Sequence, residues 1–168
     1  MKRIFIIFAL IVLTSACSDG DLQVETIDFT SISIDSCSGD TSLYFKISGD
    51  EAIILEAAEN LIINEVTDTE DPRSSAIPGN SQFSYRFFSD NVNNAYFCSS
   101  LPPATPVVND ELEATAGTVF VTTVEITENE ITRYEHTINI EGLVLLNSNG
   151  ERIIDTDFEF GTITTTTD

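Results

Sequence analysis

The chain contains a single histidine, His136, and that one fact governs most of the chemistry open to it. One imidazole is too few for a histidine-rich zinc site, and a Ser-His-Asp triad needs its only histidine beside an exposed nucleophile. His136 alternates with Tyr134 and Ile138 and stands opposite Thr122 in the hairpin expected there, which predicts a neutral ring on an inner face, satisfied by a hydroxyl. No Gly-x-Ser-x-Gly elbow is present, and no Gly-rich loop opens a helix for phosphate. Carboxylates are the abundant reactive group, with 28 Asp and Glu, and pairs of them are the machinery of glycoside hydrolysis. Sugar-cleaving sites also stack their substrate on aromatics, yet there is no tryptophan, and Tyr44, Tyr85, Tyr96 and Tyr134 fall in alternating segments as packing residues do. Calcium suits oxygen ligands. Asp68-Thr69-Glu70-Asp71 lies in an expected loop, and Asp155 and Asp157 are expected on the outer face of one strand. Neither has EF-hand spacing, so both are read as solvated acids. The residues therefore point to a non-enzymatic protein with no catalytic residue, no metal site and no cofactor.

The N-terminus carries an address. Met1-Lys2-Arg3 is cationic, Ile4 to Leu13 is an unbroken apolar run, and Thr14-Ser15-Ala16 places small residues directly before Cys17, which is the pattern of a secretory signal. At about ten residues the apolar run is roughly half of what a membrane-spanning helix needs. Leu13-Thr14-Ser15-Ala16-Cys17 resembles the lipobox of bacterial lipoproteins, with the leucine one place earlier than in the commonest form. The resemblance implies cleavage before Cys17 and acylation of its thiol and new amino group. Ser18-Asp19-Gly20-Asp21 is similar to the acidic tract of surface-exported lipoproteins in the Bacteroidota. Together with the runs from Cys98 to Pro106 and from Ala114 to Val119, these features resemble uncharacterised flavobacterial lipoproteins. That resemblance implies an outer-membrane lipoprotein, surface-exposed or periplasm-facing, held to the membrane through Cys17, and it names no activity. The expected organisation is a signal peptide over 1–16, a lipidated acidic tether over 17–22 and a single β domain over 23–168.

Removal of Lys2 and Arg3 with the signal leaves five basic residues against 28 acidic ones, a formal net charge of −23 instead of −21. Such a surface repels nucleic acid, so the expected partners are the membrane through its lipid and an envelope protein or glycan. Apolar residues make up 42% of the chain and fall in periodic runs, enough for burial to offset chain entropy. With Cys17 acylated, Cys37 and Cys98 remain, and an even pair in an oxidising compartment reads as one disulfide.

Val, Ile, Thr, Phe and Tyr in short alternating segments, separated by Gly, Asn, Asp and Pro, predict an all-β domain, an antiparallel β-sandwich or flattened barrel. Strands are expected at Ile27 to Ile34 with a bulge near Thr30-Ser31, around Leu43, Phe45 and Ile47, over Ala52 to Glu56 and over Leu61 to Val66, and around Phe83, Tyr85 and Phe87. Thr67 to Gln82 is expected to be a surface loop, and Leu101 to Pro106 a stiff extended connection. A long three-stranded meander follows from about Gly117 to Thr164, bent at Gly142. Keeping apolar partners on one face selects three-residue hairpin loops at Glu128 to Glu130 and at Ser148 to Gly150, the latter with Gly150 left-handed. The first loop opposes Phe120 to Ile138, Val124 to Tyr134 and Glu125 to Arg133; the second opposes Val144 to Ile154, Ile140 to Phe158 and Ile138 to Phe160. Tyr134, His136, Ile138, Ile140, Gly142, Val144 and Leu146 then share one face with Ile154, Thr156, Phe158 and Phe160.

Overall fold

The computed structural model of the chain describes residues 27–128, 130–147 and 149–166. The expected signal and tether, Cys17 included, lie outside the described residues. Within them the chain is all-β, as expected: one antiparallel sheet of eight strands curls into a half-barrel. The elements are β1 (Asp35–Ser36), β2 (Leu43–Ser48), β3 (Glu51–Glu56), β4 (Arg73–Ile77), β5 (Gln82–Phe88), α1 (Asn94–Cys98), β6 (Val108–Glu128), β7 (Ile131–Leu146) and β8 (Arg152–Thr166). The sheet order is β1-β2-β3-β5-β6-β7-β8. The long strand β6 has β7 along one side and two partners in succession along the other, β5 against its start and β4 against Gly117 to Val121.

The expected meander is β6-β7-β8, and it is longer than expected at its start. The β7-β8 register matches the expectation at Val144↔Ile154 and Ile140↔Phe158, with Gly150 left-handed at φ 84°. Beyond Asn139 the ladder slips by one residue, so Ile138 opposes Gly161 instead of Phe160. The β6-β7 hairpin differs: Glu128 pairs with Ile131, leaving a two-residue connection that ends in Glu130 at φ 65°. Val121 therefore faces Ile138, Glu125 faces Tyr134 and Val124 faces Glu135. This register buries Val119, Val121 and Thr123 in place of the expected Phe120 and Val124. Gly142 sits at φ 64°, and the inward face switches there from Ile138 and Ile140 to Leu143 and Leu145. The expected unbroken parity is not kept, because a bulge in the β6-β7 ladder at this point shifts the pleat by one. Ile154 is accordingly exposed, and Ile153 takes the inner position.

Three other expectations are corrected. Leu61 to Val66 forms no strand: Asn60 turns at φ 62°, the Leu61 amide donates to the Ala58 carbonyl, and Leu61 is buried from a loop. The segment from Ile27 to Ile34 is a turn, with Ile32 N–H on the Phe29 carbonyl and the Asp28 carboxylate capping Thr30, because a local side-chain acceptor competes with ladder pairing. The loop expected over Thr67 to Gln82 contains β4, whose ladder exists only because β6 outruns β5.

The continuous run Ala52-Ile53-Ile54-Leu55 is buried on both faces. Ile53 and Leu55 point into the main inner core with Phe29, Phe83, Val121, Ile140 and Phe160. Ala52 and Ile54 join Phe45, Phe88 and Val92 in a second cluster on the outer face. That cluster is capped by the segment carrying α1, a single turn with Asn93 as its N-cap, where Phe97 stacks on Phe45 at 4.5 Å and Tyr96 meets Phe88 at 5.0 Å. The Cys37–Cys98 disulfide, Cα–Cα 5.2 Å, ties the end of α1 to the chain next to β1.

The edges of the half-barrel approach each other at Lys46. This lysine is 3% exposed on the inner face, its Nζ donates to the Phe29 carbonyl at 3.0 Å, and it lies 5.8 Å from the Phe160 ring centroid. Burial pushes its pKa down, partly opposed by Glu159 on β8. Gly161 on β8 stands so close that a Cβ there would lie 3.2 Å from Lys46 Nζ and 3.4 Å from Ile34 Cδ1.

Candidate functional site: an outer-face groove and a sealed histidine

The outer face of β3, β5 and β6 carries a hollow of about 350 Å³ lined by Ile54, Glu56, Gln82, Ser84, Arg86, Glu111 and Glu113, with the Pro78-Gly79 turn along its rim. Register assembles it. Glu56 lies beside Gln82, Ile54 beside Ser84, Ser84 beside Glu113 and Arg86 beside Glu111. Directly opposed residues share a face, so four positions two apart on β5 and β6 bring their polar side chains to one surface. Arg86 Nε donates to Glu111 Oε1 at 2.6 Å, with both side chains about one-third exposed. Its terminal nitrogens, together with the side chains of Glu56, Gln82, Ser84 and Glu113, have no hydrogen-bond partner among the described residues. The hollow lies at the lower end of the small-molecule size range, with Ile54 among its lining and unspent donors and acceptors beside it.

Sequence reasoning did not single out these residues. The alternation of Phe83, Tyr85 and Phe87 carried the signal that Gln82, Ser84 and Arg86 share the opposite face. That Glu111 and Glu113 join them depends on β5 pairing with β6 across α1 and the proline segment.

The structure sends the sequence-derived candidates elsewhere. His136 is fully buried on the inner side of β7, as expected, but its Cα partner is Thr123 instead of Thr122. The one-residue difference follows from the shorter hairpin turn. Nδ1 lies 2.9 Å from Thr123 Oγ1, and Nε2 lies 2.9 Å from Thr165 Oγ1 on β8. Thr165 also hydrogen-bonds Asn64 Oδ1. Arg73 on β4 reaches Thr123 Oγ1 at 3.2 Å and the Glu65 carbonyl at 2.6 Å. Desolvation first, and the Arg73 guanidinium second, hold the His136 pKa below the ordinary histidine range. A ring sealed from solvent and bonded at both nitrogens has no free atom for a substrate.

Of the tyrosines, Tyr44 and Tyr85 are buried, Tyr96 packs in the α1 cap, and the Tyr134 hydroxyl donates to Glu125. None of them lines the groove. Asp68 uses its carboxylate to accept the Glu70 amide, and its backbone bridges Asp71. Asp155 opposes buried Leu143, whereas Asp157 opposes exposed Glu141, so the two do not share the outer face as expected, because the pleat shifts at Gly142. Among the described residues no three His, Cys, Asp or Glu side chains converge as a metal site. Comparison with known proteins yields no matching family model, no matching curated protein and no matching solved structure.

Proposed function

We propose that this chain is a lipid-anchored envelope protein of the outer membrane, cleaved before and acylated at Cys17, whose β domain acts by binding a polar ligand in the outer-face groove. The reading of location rests on the cationic start, the short apolar run and the small residues before Cys17. Two or more acyl chains on one residue suffice for stable attachment where one chain is marginal. The observation that carries the binding role is the groove itself: Ile54 beside Arg86, Gln82, Ser84 and three glutamates whose hydrogen-bonding capacity is largely unspent. Hydroxyl groups both donate and accept, so an envelope glycan or a polar protein segment matches this mixed wall, and its net negative charge disfavours anionic ligands.

Two measurements on the full chain test this reading. Membrane fractionation of wild type and Cys17→Ser is expected to move the variant to the soluble fraction; retention of the variant through a high-salt wash overturns the anchor. Titration of the wild type with neutral oligosaccharides, followed by amide chemical shifts, is expected to perturb Gln82 to Arg86 and Glu111 to Ala114. Shifts confined to any other face reject the groove.

A further inference from the structure

We propose that His136 is an acid-sensitive clasp: a second proton on its ring releases the strap of residues 61–73, and the end of β8, from the β6-β7 hairpin. Two hydroxyls hydrogen-bonded to this ring link it to both ends of the strap. Thr123 comes from β6, Thr165 from β8, Asn64 from the strap and Arg73 from the start of β4. The direction of the hydrogen bonds fixes the tautomer. Asn64 Nδ2 donates to the Thr166 carbonyl at 3.4 Å, which orients the amide and leaves Asn64 Oδ1 to accept from the Thr165 hydroxyl. Thr165 has only one hydroxyl hydrogen, so its oxygen must accept Nε2–H of His136. Nδ1 of the neutral ring is then a bare acceptor for the Thr123 hydroxyl, whose oxygen in turn accepts from Arg73 Nη1. The chain runs one way, from Arg73 through Thr123, His136 and Thr165 to Asn64.

A second proton breaks the run of this chain. On Nδ1 it turns an acceptor into a donor, so the Thr123 oxygen must accept from both Arg73 and the ring while its own hydroxyl hydrogen loses its acceptor. It also sets an imidazolium within two hydrogen-bond lengths of a guanidinium. The charged groups around the ring do not compensate. Arg73 is the cation facing it from β4, and the strap's Glu65 carboxylate pairs with Arg73 at 3.7 Å from a largely exposed position. On the hairpin, Glu125 is engaged by Tyr134. Toward the ring itself β6 and β8 present hydroxyls.

The strap depends on the same residues. Thr67 N–H donates to the Thr123 carbonyl at 3.1 Å, Thr123 N–H donates to Thr67 Oγ1 at 2.9 Å, and Arg73 holds the Glu65 carbonyl. β4 runs on from the clasp into Pro78 and Gly79, which line the groove. The sign follows from linkage. A ring kept neutral in the folded state contributes stability that is intact above the ordinary histidine pKa and is lost as pH falls through the lower folded value.

The test uses the full chain. Long-range ¹H–¹⁵N spectra at neutral pH are expected to show the Nε2–H tautomer, with titration below the ordinary histidine range. Hydrogen exchange, corrected for intrinsic chemistry, is expected to lose about tenfold protection or more at Thr67 and across β4 between about pH 7.5 and pH 5, while β2 and β3 stay protected. His136→Gln keeps an acceptor and a donor but cannot take the proton, so its strap protection is expected to be independent of pH. An Nδ1–H tautomer, titration at or above the ordinary value, equal loss across the whole sheet, or the same pH response in His136→Gln overturns the proposal. Should the variant fail to fold, the wild-type tautomer and titration decide alone.

Discussion

Replacing Gly161 with alanine tests whether Lys46 and the edge of β8 close the half-barrel as one unit. Gly161 sits at φ 122°, and its missing side chain is occupied by the Lys46 ammonium, 3.2 Å from where a Cβ would stand. Two costs are expected. Placing a Cβ in this sparsely populated backbone region costs about 1–3 kcal/mol. Pushing Nζ off the Phe29 carbonyl forfeits a buried charged hydrogen bond, about 1.5–3 kcal/mol. Together Gly161→Ala should destabilise by about 2.5–6 kcal/mol. In a Lys46→Met background the second cost is absent, so the same change should cost only about 1–3 kcal/mol, and the cycle should give a coupling near the difference. Gly150→Ala is the control. It also has positive φ, 84°, but nothing lies within 4 Å of its Cβ position, so about 1 kcal/mol is expected. Urea unfolding at neutral pH, followed by far-ultraviolet circular dichroism, measures all of these. An equal cost of Gly161→Ala with and without Lys46 refutes the seam, since the lysine would then be yielding freely.

Removing the disulfide with Cys37→Ser and Cys98→Ser should cost about 4 kcal/mol in the chain-entropy account of a bond with sequence separation 61; unchanged urea midpoints, or free thiols in protein taken from the envelope, reject it. Calcium should raise the melting temperature only slightly, and magnesium at equal ionic strength should do nearly the same, because net charge attracts cations without converging ligands. A large calcium-selective shift that vanishes in Asp68→Asn or Asp71→Asn reverses that conclusion. Asn139 Oδ1 is buried with no partner among the described residues, so Asn139→Val should be neutral or stabilising by about 1 kcal/mol. A loss of more than that in thermal unfolding shows that the amide makes a bond in solution.

Local pattern decided what each segment could be. Alternation around Leu43, Phe45 and Ile47 and around Phe83, Tyr85 and Phe87 names β2 and β5, because burial of one sheet face imposes a period of two. The β7-β8 register was legible near its turn, where a glycine must supply positive φ. The β6-β7 register was not, since Glu130 adopts positive φ without the residue type that announces it. One residue of slip there exchanged Phe120 and Val124 for Val119, Val121 and Thr123 in the core.

The amino-acid sequence alone determined the acidic composition, the all-β class, the burial of His136 and the pairing of Cys37 with Cys98, because each depends on residue type or on local alternation. Tertiary structure decided the rest. β4 reads as a polar loop until the length of β6 supplies it with a partner. The run from Ala52 to Leu55 reads as a strand from its β-branched residues, but burial of its outer face depends on the α1 segment that covers it. The groove exists only where β5 meets β6, across the helix and the prolines, and places Arg86 beside Glu111. Those contacts join residues far apart in the chain, and no local periodicity encodes which distant strand supplies the neighbouring row of side chains.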